Sequence, residues 1–405
     1  MSVAVLSHPR LSGAPIPEVS VLIDRAREIG RMARERAQET ERNRRVSSDL
    51  VQTMREADLF RIMQPKAYGG YEYGYEVFVE AVAAIAAGDG STGWVFSLGA
   101  VHQWLIGVFP KEAQQEVWGK DSNAISAVSY APTGKSDVVD GGYRISGRWS
   151  FASGIDNAQW AILGGFIPHE GGVKPGFFLV PRADYTIDDD WNPMGLAGTG
   201  SKTVVIESTF VPSYRAVAFS DLLTGNGPGT SVNTNPIYRQ PMLAVVPQCL
   251  VSPALGIARG ALDCFIEQVS GRKTRGAVAG GNNRMAEFTT VQMRVAEATA
   301  AIDAATLMIH RDLKETADVV KAGGSVDVEM RMRNRLTHSF AVKLLTQAVD
   351  ALFTAAGGSA LGMHHPLQRF WRDIHAVSSH ISLNWDVVSA MYGQHAFGLE
   401  PRGQY

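Results

Sequence analysis

The spacing of hydrophobic residues changes twice along this chain, and those changes leave few architectures open. Up to residue 118 apolar residues recur at helical spacing, as in "VLIDRAREIGRMARERAQETERN" (21–43). Between 123 and 219 the period drops to two. "AISAVSYA", "GYRISGRWSF", "WAILGGFI", "GFFLVPR" and "KTVVIESTFV" are short, rich in β-branched and aromatic residues, and separated by Gly, Pro and Asp. A Gly/Asn/Ser-rich connector follows at 220–238, and long helical patterns return from 242 to 398. The expectation is an α+β protein with a helical domain over 1–120, a central β-barrel or sandwich over 121–225 and a C-terminal four-helix bundle over 226–405. No helical stretch separates the strands and no GxGxxG occurs, so a dinucleotide-binding βαβ unit is excluded.

Local signals place some boundaries. Ser48 is positioned to cap the helix "DLVQTMREADLF", and "VVDGGYRI" carries a hairpin turn at Asp140-Gly141-Gly142. "YEVFVEAVAAIAAGDG" and "STGWVFSLGAVHQWLIGVF" read as two buried helices. Their apolar runs, such as "AVAAIAA", fall short of the roughly 20 residues a membrane span needs, so no membrane partner is expected. The first 13 residues lack the basic and apolar regions of a signal peptide. A net charge of −2 with mixed signs gives no footprint for nucleic acid. The two cysteines, Cys249 and Cys264, form no motif and read as buried thiols, which favours the cytoplasm.

Several motifs fail on inspection. "GLAGTGSKT" (195–203) resembles a phosphate loop, but Ser201 stands where Gly must precede Lys, and the segment enters a strand. It reads as a Gly-rich strand entry beside a ligand. His364, His365, His375 and His380 lack the spacing and the further ligand a metal site needs, so no metal is expected. No GxSxG elbow is present.

The layout and a series of motifs resemble the acyl-CoA dehydrogenase superfamily, above all its flavin-dependent monooxygenase branch, the oxygenase components of two-component phenol hydroxylases. The likeness runs from "ERNRRVSSDLVQTMREADLFRIMQPKAYGG" to "GQHAFGLEP". "GSTGWVFSLGAVHQWL" resembles the helix that brings a Trp and a His to the site, here Trp94 and His102. "SAVSYAPTGK" resembles the strand and loop beside the flavin ring, which implies contacts from Ser129, Tyr130, Ala131 and Pro132. "GRWSFASG" resembles the family's Trp-Ser-Ser-Gly stretch, with Phe151 beside the cofactor and Ser153 near flavin N5. "EQVSGRKTRG" resembles the helix end whose Arg meets the flavin phosphates across a subunit boundary, here Arg272. "PLQRFWRDIHAVSSH" resembles the closing segment, with His380 toward the substrate. Val128 replaces a substrate-side Ser, which hints at a less polar substrate. Without the resemblance, His102 on its apolar helix reads as a core histidine, and Arg369 and Arg372 as partners for Asp373 or a helix end.

The resemblance implies reduced FMN or FAD delivered by diffusion from a separate NAD(P)H:flavin reductase, O₂ as co-substrate, an aromatic substrate hydroxylated through a C4a-hydroperoxyflavin, and a homotetramer. The alternatives are an S- or N-oxygenase, an acyl-CoA dehydrogenase-like oxidoreductase, or a non-catalytic scaffold. A dehydrogenase needs a carboxylate base. In the commonest form it follows the Arg-Asp pair by eight residues; Ile381 occupies that place, and no carboxylate lies between Ile374 and Trp385. Read as one helix, "RFWRDIHAVSSHISLNWD" (369–386) separates His375 and His380 by about 140°, so only one faces the site. His380 is assigned to the substrate and His375 to the fold.

Overall fold

The structure is a computed structural model and describes residues 15–169, 171–273 and 284–405. The first 13 residues, read as carrying no signal peptide, lie outside the described residues. Five helices open the chain: α1 (Val19–Asn43), α2 (Ser48–Glu56), α3 (Tyr75–Ala86), α4 (Gly90–Gly107) and α5 (Lys111–Trp118). The N-cap of α2 is Ser47 and not Ser48, and the helix stops at Glu56. Asp58 then takes a left-handed conformation (φ 61°) before a 3₁₀ turn at Leu59–Arg61. α4 is buried along nearly its whole length. Its start is fixed by Asp89, whose carboxylate accepts from the Thr92 N–H at 2.8 Å. Gly93 lets α4 lie directly on α3, since a Cβ there would stand 2.3 Å from the Ala86 Cβ.

The middle of the chain forms two four-stranded sheets around their own apolar core of Trp149, Leu163, Phe178 and Val204. The strands are β1 (Ser126–Ser129), β2 (Lys135–Val139), β3 (Gly142–Ala152), β4 (Trp160–His169), β5 (Gly172–Pro181), β6 (Thr186–Asp188), β7 (Lys202–Pro212) and β8 (Ala216–Ala218). The sheet orders are β1-β4-β5-β8 and β2-β3-β7-β6, with β1 parallel to β4. Val139 pairs with Gly142, so Asp140 and Gly141 form the hairpin turn, with Gly141 at φ 76°. The hairpin turn implies only the end of β2, and β6 and β8 were not legible in the sequence. They are short strands whose partners lie elsewhere in the chain or whose exposed residues carry no apolar alternation.

The connector holds the short helices α6 (Phe219–Leu223) and α7 (Met242–Val245). A bundle then forms from α8 (Gln248–Ser270), α9 (Thr289–Lys321), α10 (Val328–Ala356) and α11 (Pro366–Ser378), with α12 (Trp385–Ala396) packed on α10. The stretch Met242–Ser270 is long and apolar enough to cross a membrane, contrary to the short-run reading, but 78% of its most apolar window is buried inside the protein. Cys249 and Cys264 are free and buried, and burial pushes their thiols up to about 12 and about 11.

One expectation about the closing segment fails. Residues 369–386 are not one helix. The Ser378 and Ser379 hydroxyls both donate back to the His375 carbonyl at the end of α11. His380 has extended backbone (φ −66°, ψ 133°) and caps a 3₁₀ turn at Ile381–Leu383. Helical phase therefore does not relate the two histidines.

Candidate active site

α4, the β-domain and the turn after α11 meet at Trp94. Its indole N–H donates to the Ser153 hydroxyl at 3.1 Å, and its ring lies 6.1 Å from that of His380. Ser153 sits in a tight turn at the end of β3. Phe151 is left-handed there (φ 64°), a conformation that costs about 1–3 kcal/mol for a non-Gly residue. Gly154 follows at φ 73°, its N–H on the Thr199 carbonyl at 2.9 Å. The Phe151 side chain is 70% exposed and meets Trp191 edge-on at 6.0 Å.

A chain of hydroxyls leads away from Ser153. Its Oγ stands 2.6 Å from Ser201 Oγ, which stands 2.7 Å from Thr199 Oγ1. Thr199 donates to the Leu196 carbonyl at 2.8 Å, which fixes the direction of the rest. With one proton per hydroxyl, Ser201 donates to Thr199, and Ser153 donates to Ser201 while accepting from Trp94. The same loop is anchored from below: the Leu196 N–H donates to Asp373 at 2.6 Å. Burial, with Asp89 nearby, pushes the Asp373 carboxyl up to about 7. Arg369 and Arg372 pair with Glu41 of α1, not with Asp373.

His102 lies two turns along α4 from Trp94, and its Nδ1 faces the Ser126 carbonyl at 2.7 Å. A carbonyl only accepts, so Nδ1 carries the proton and Nε2 has a free lone pair. His380 is the reverse. Its Nδ1 accepts from the Ser382 N–H at 3.2 Å, so its Nε2 carries the proton. Burial holds both rings neutral, lowering each pKa to about 4; Arg335 adds to the effect on His380. His375 is directed into the bundle, bonding Asp350 at 2.9 Å beside Trp371.

Of the other expected residues, Ser129 ties β1 to β3 through the Ser150 carbonyl at 2.6 Å. Tyr130 and Ala131 are exposed and Pro132 half-buried, at the same β-domain edge. The Tyr130 ring rests on Phe219 and Phe177. Val128 is half-buried against the main core. Arg272 is not part of this cluster. It donates to the Ala356 carbonyl at the far end of α10, 21 residues and about 30 Å along the helix from Arg335.

Four polar residues escaped the sequence reading. Thr199 and Ser201 lie in the Gly-rich segment, whose only signal was a strand entry beside a ligand. Arg335 and His338 lie in "RMRNRLTHSF", where nothing in the pattern distinguishes an inward Arg from an outward one.

The family model described as "Acyl-CoA dehydrogenase, N-terminal domain" matches residues 17–122, and that described as "Acyl-CoA dehydrogenase, C-terminal domain" matches 248–385. The chain is 42% identical to the FADH(2)-dependent resorcinol hydroxylase, oxygenase component, of Rhizobium sp. (strain MTP-10005), covering 99% of each protein. It is 41% identical to the flavin-dependent monooxygenase, oxygenase subunit HsaA, of Rhodococcus jostii (strain RHA1), covering 90% of this chain and 95% of that protein. The crystal structure of 3-HSA hydroxylase from Rhodococcus sp. RHA1 superposes with a TM-score of 0.89 at 39% identity, covering 95% of this chain and 98% of that one.

Proposed function

The chain belongs to the acyl-CoA dehydrogenase superfamily, in its flavin-dependent monooxygenase branch, and on that premise we propose that it is the oxygenase component of a two-component aromatic hydroxylase. A phenolic ring is its substrate, O₂ its co-substrate, and a separate reductase its source of reduced flavin, which passes between the two proteins by diffusion. The 42% identical relative is named as FADH(2)-dependent, so FADH₂ is the first flavin to supply.

The residues present fit a flavin ring. An exposed aromatic on strained backbone, Phe151, stands two residues from the buried Ser153 hydroxyl, at the β-domain edge that also carries exposed Tyr130 and Ala131. When bound, reduced flavin supplies the electrons that activate O₂. The chain's own residues do the rest. Ser153 presents a hydroxyl whose proton and lone pair are already ordered by Ser201 and Trp94. A hydroxyl that can turn its proton from Ser201 toward a bound group stabilises charge developing there. The neutral His102 offers a lone pair at Nε2 to take a phenol proton, and the neutral His380 offers an Nε2–H to hold the phenol oxygen. The burial of Trp94, His102 and Ser153 keeps water from the reacting atoms.

The observation that carries this reading is two neutral histidines of opposite tautomer, His102 buried on α4 and His380 half-buried beside Trp94, the latter next to the position where a dehydrogenase carries its carboxylate. Ile381, at the position of that base, is 81% exposed. The separation of Arg272 from the Trp94 cluster supports a shared site: one chain brings its own Arg to another chain's flavin, as in a homotetramer. The buried thiols go with a cytoplasmic location.

The test is reconstitution with chemically reduced FAD or FMN, O₂ and a panel of phenols, indoles and thioethers. Hydroxylated phenol supports the reading. Oxygenation of thioethers alone, or dye reduction driven by an acyl-CoA, overturns it.

A further inference from the structure

Three arginines alternate near the start of α10. Arg331 lies over the Tyr405 ring at 5.6 Å, and Arg333 faces Asp312 at 3.4 Å and also pairs with Glu315. Arg335 turns inward and is 6% exposed. Its Nη2 donates to the Ser382 carbonyl at 3.0 Å, while Nε and Nη1 are buried with no hydrogen-bond partner. Among the described residues no carboxylate pairs with it. A buried cation with two unmet donors is costly unless something supplies acceptor oxygen.

The surroundings point to what supplies it. Ser382, which takes the Arg335 Nη2–H on its carbonyl, gives its own N–H to His380. Arg335 and His380 are thus held on the two sides of one residue's backbone. His338, fully buried three residues further along the same helix face, has neither ring nitrogen partnered. Tyr130, at the edge of the β-domain, lies within electrostatic range of the guanidinium. Three separate segments therefore converge on polar groups that lack an anion.

We propose that Arg335 anchors the substrate by binding an anionic oxygen on it, so that the enzyme takes aromatic mono-anions in preference to neutral arenes. This rests on the hydroxylase reading above and specifies its substrate class. A planar guanidinium with Nε and Nη1 both free matches a phenolate oxygen or both oxygens of a carboxylate. Burial lowers the Arg335 pKa to about 10, which still leaves it cationic at neutral pH. The cation draws a phenol toward its phenolate, and a phenolate makes the ring the nucleophile that hydroxylation needs. Val128 lowers the polarity of the β-domain side, whereas Arg335 sets the charge from the helical side.

The experiment measures binding to the flavin-free protein. 4-Nitrophenol reports its own ionisation by colour, benzoate tests a carboxylate without a phenol, and indole is the neutral control. Wild type should bind 4-nitrophenol as the yellow phenolate below its solution pKa. Arg335→Met should weaken phenolate or carboxylate binding by about 10- to 100-fold, the usual range for a charged hydrogen bond, and leave indole within about two-fold. Loss for phenolate alone identifies the ring oxygen as the anchored group; loss for benzoate alone identifies a side-chain carboxylate. The melting temperature of Arg335→Met should equal or exceed that of wild type, because an unpaired buried charge is gone; a merely structural Arg would give the opposite. Should Arg335→Met fail to fold, Arg335→Lys decides, with anion affinity reduced several-fold and indole unchanged. Unchanged anion affinity, or equal loss for anions and indole, overturns the proposal and leaves the hydroxylase reading intact. Failure of wild type to hydroxylate any phenol overturns that reading and leaves this binding measurement interpretable.

Discussion

Ser153 and Ser201 stand 2.6 Å apart, Oγ to Oγ, although 48 residues separate them in sequence. One closes β3 and the other opens β7, so the pairing of those two strands puts the hydroxyls together. Ser153→Ala should leave flavin affinity within several-fold but raise the ratio of hydrogen peroxide released to product formed. One buried hydrogen bond of about 1–3 kcal/mol corresponds to roughly 5- to 150-fold in that ratio. Ser201→Ala should shift it in the same direction by less, since Ser153 keeps Trp94. Peroxide and product yields under single turnover check both; a Ser153→Ala ratio equal to wild type would remove the hydroxyl from the chemistry.

The two histidines should separate by tautomer. His102→Leu removes the lone pair that accepts a proton, and the hydroxylation step should fall by about 100- to 10,000-fold. His380→Asn keeps an N–H donor and should cost less, while His380→Leu should approach the His102 variant. A His380→Asn loss larger than that of His102→Leu would reverse the assignment.

The pH dependence follows from the lowered histidine values. Above about pH 5 both rings are neutral, so the hydroxylation rate should show no break near 6.5, the ordinary His value, and an acid limb near 4. The sign for stability is set by the same shift. Between 6.5 and 4 the unfolded chain binds these protons and the folded one does not, so stability is complete above 6.5 and falls as pH drops toward 4. Asp373 acts in the opposite sense. Its raised value gives stability that is present below about 4 and lost as pH rises through about 7. Thermal melts of wild type and Asp373→Asn separate the two: the variant should lose the decline above pH 4 and keep the histidine-driven one below 6.5.

Arg272→Ala should weaken flavin binding and leave phenol binding to the flavin-free protein unchanged, because Arg272 lies about 30 Å along α10 from Arg335. Light scattering should give a tetramer for both proteins. A monomer that binds reduced flavin at wild-type affinity would eliminate a shared site.

His375→Asn should act on stability alone. Its bond to Asp350 is part-exposed, so the loss should be about 0.2–1 kcal/mol, read as a small drop in melting temperature at wild-type turnover. A ten-fold fall in hydroxylation would place His375 in the site.

The sequence by itself determined the layout. A switch of hydrophobic period from 3.6 to 2 and back dictates helices, strands and helices, since each period buries one face of one kind of element. Motifs that resemble a known family named Trp94, His102, Ser153 and His380 as candidates, and the fold sets Trp94 against Ser153 and His380. What the sequence could not deliver is any property set by a partner distant in the chain. The tautomer of His102 depends on a carbonyl 24 residues away, and the direction of the Ser153 hydroxyl on the register of β3 with β7. The contrast among Arg331, Arg333 and Arg335 depends on which groups the folded protein packs against each. Charge and helical spacing are the same kind of signal for all three. Only packing decides that Arg331 and Arg333 meet Tyr405, Asp312 and Glu315 and that Arg335 is left, buried and cationic, with Nε and Nη1 unpartnered.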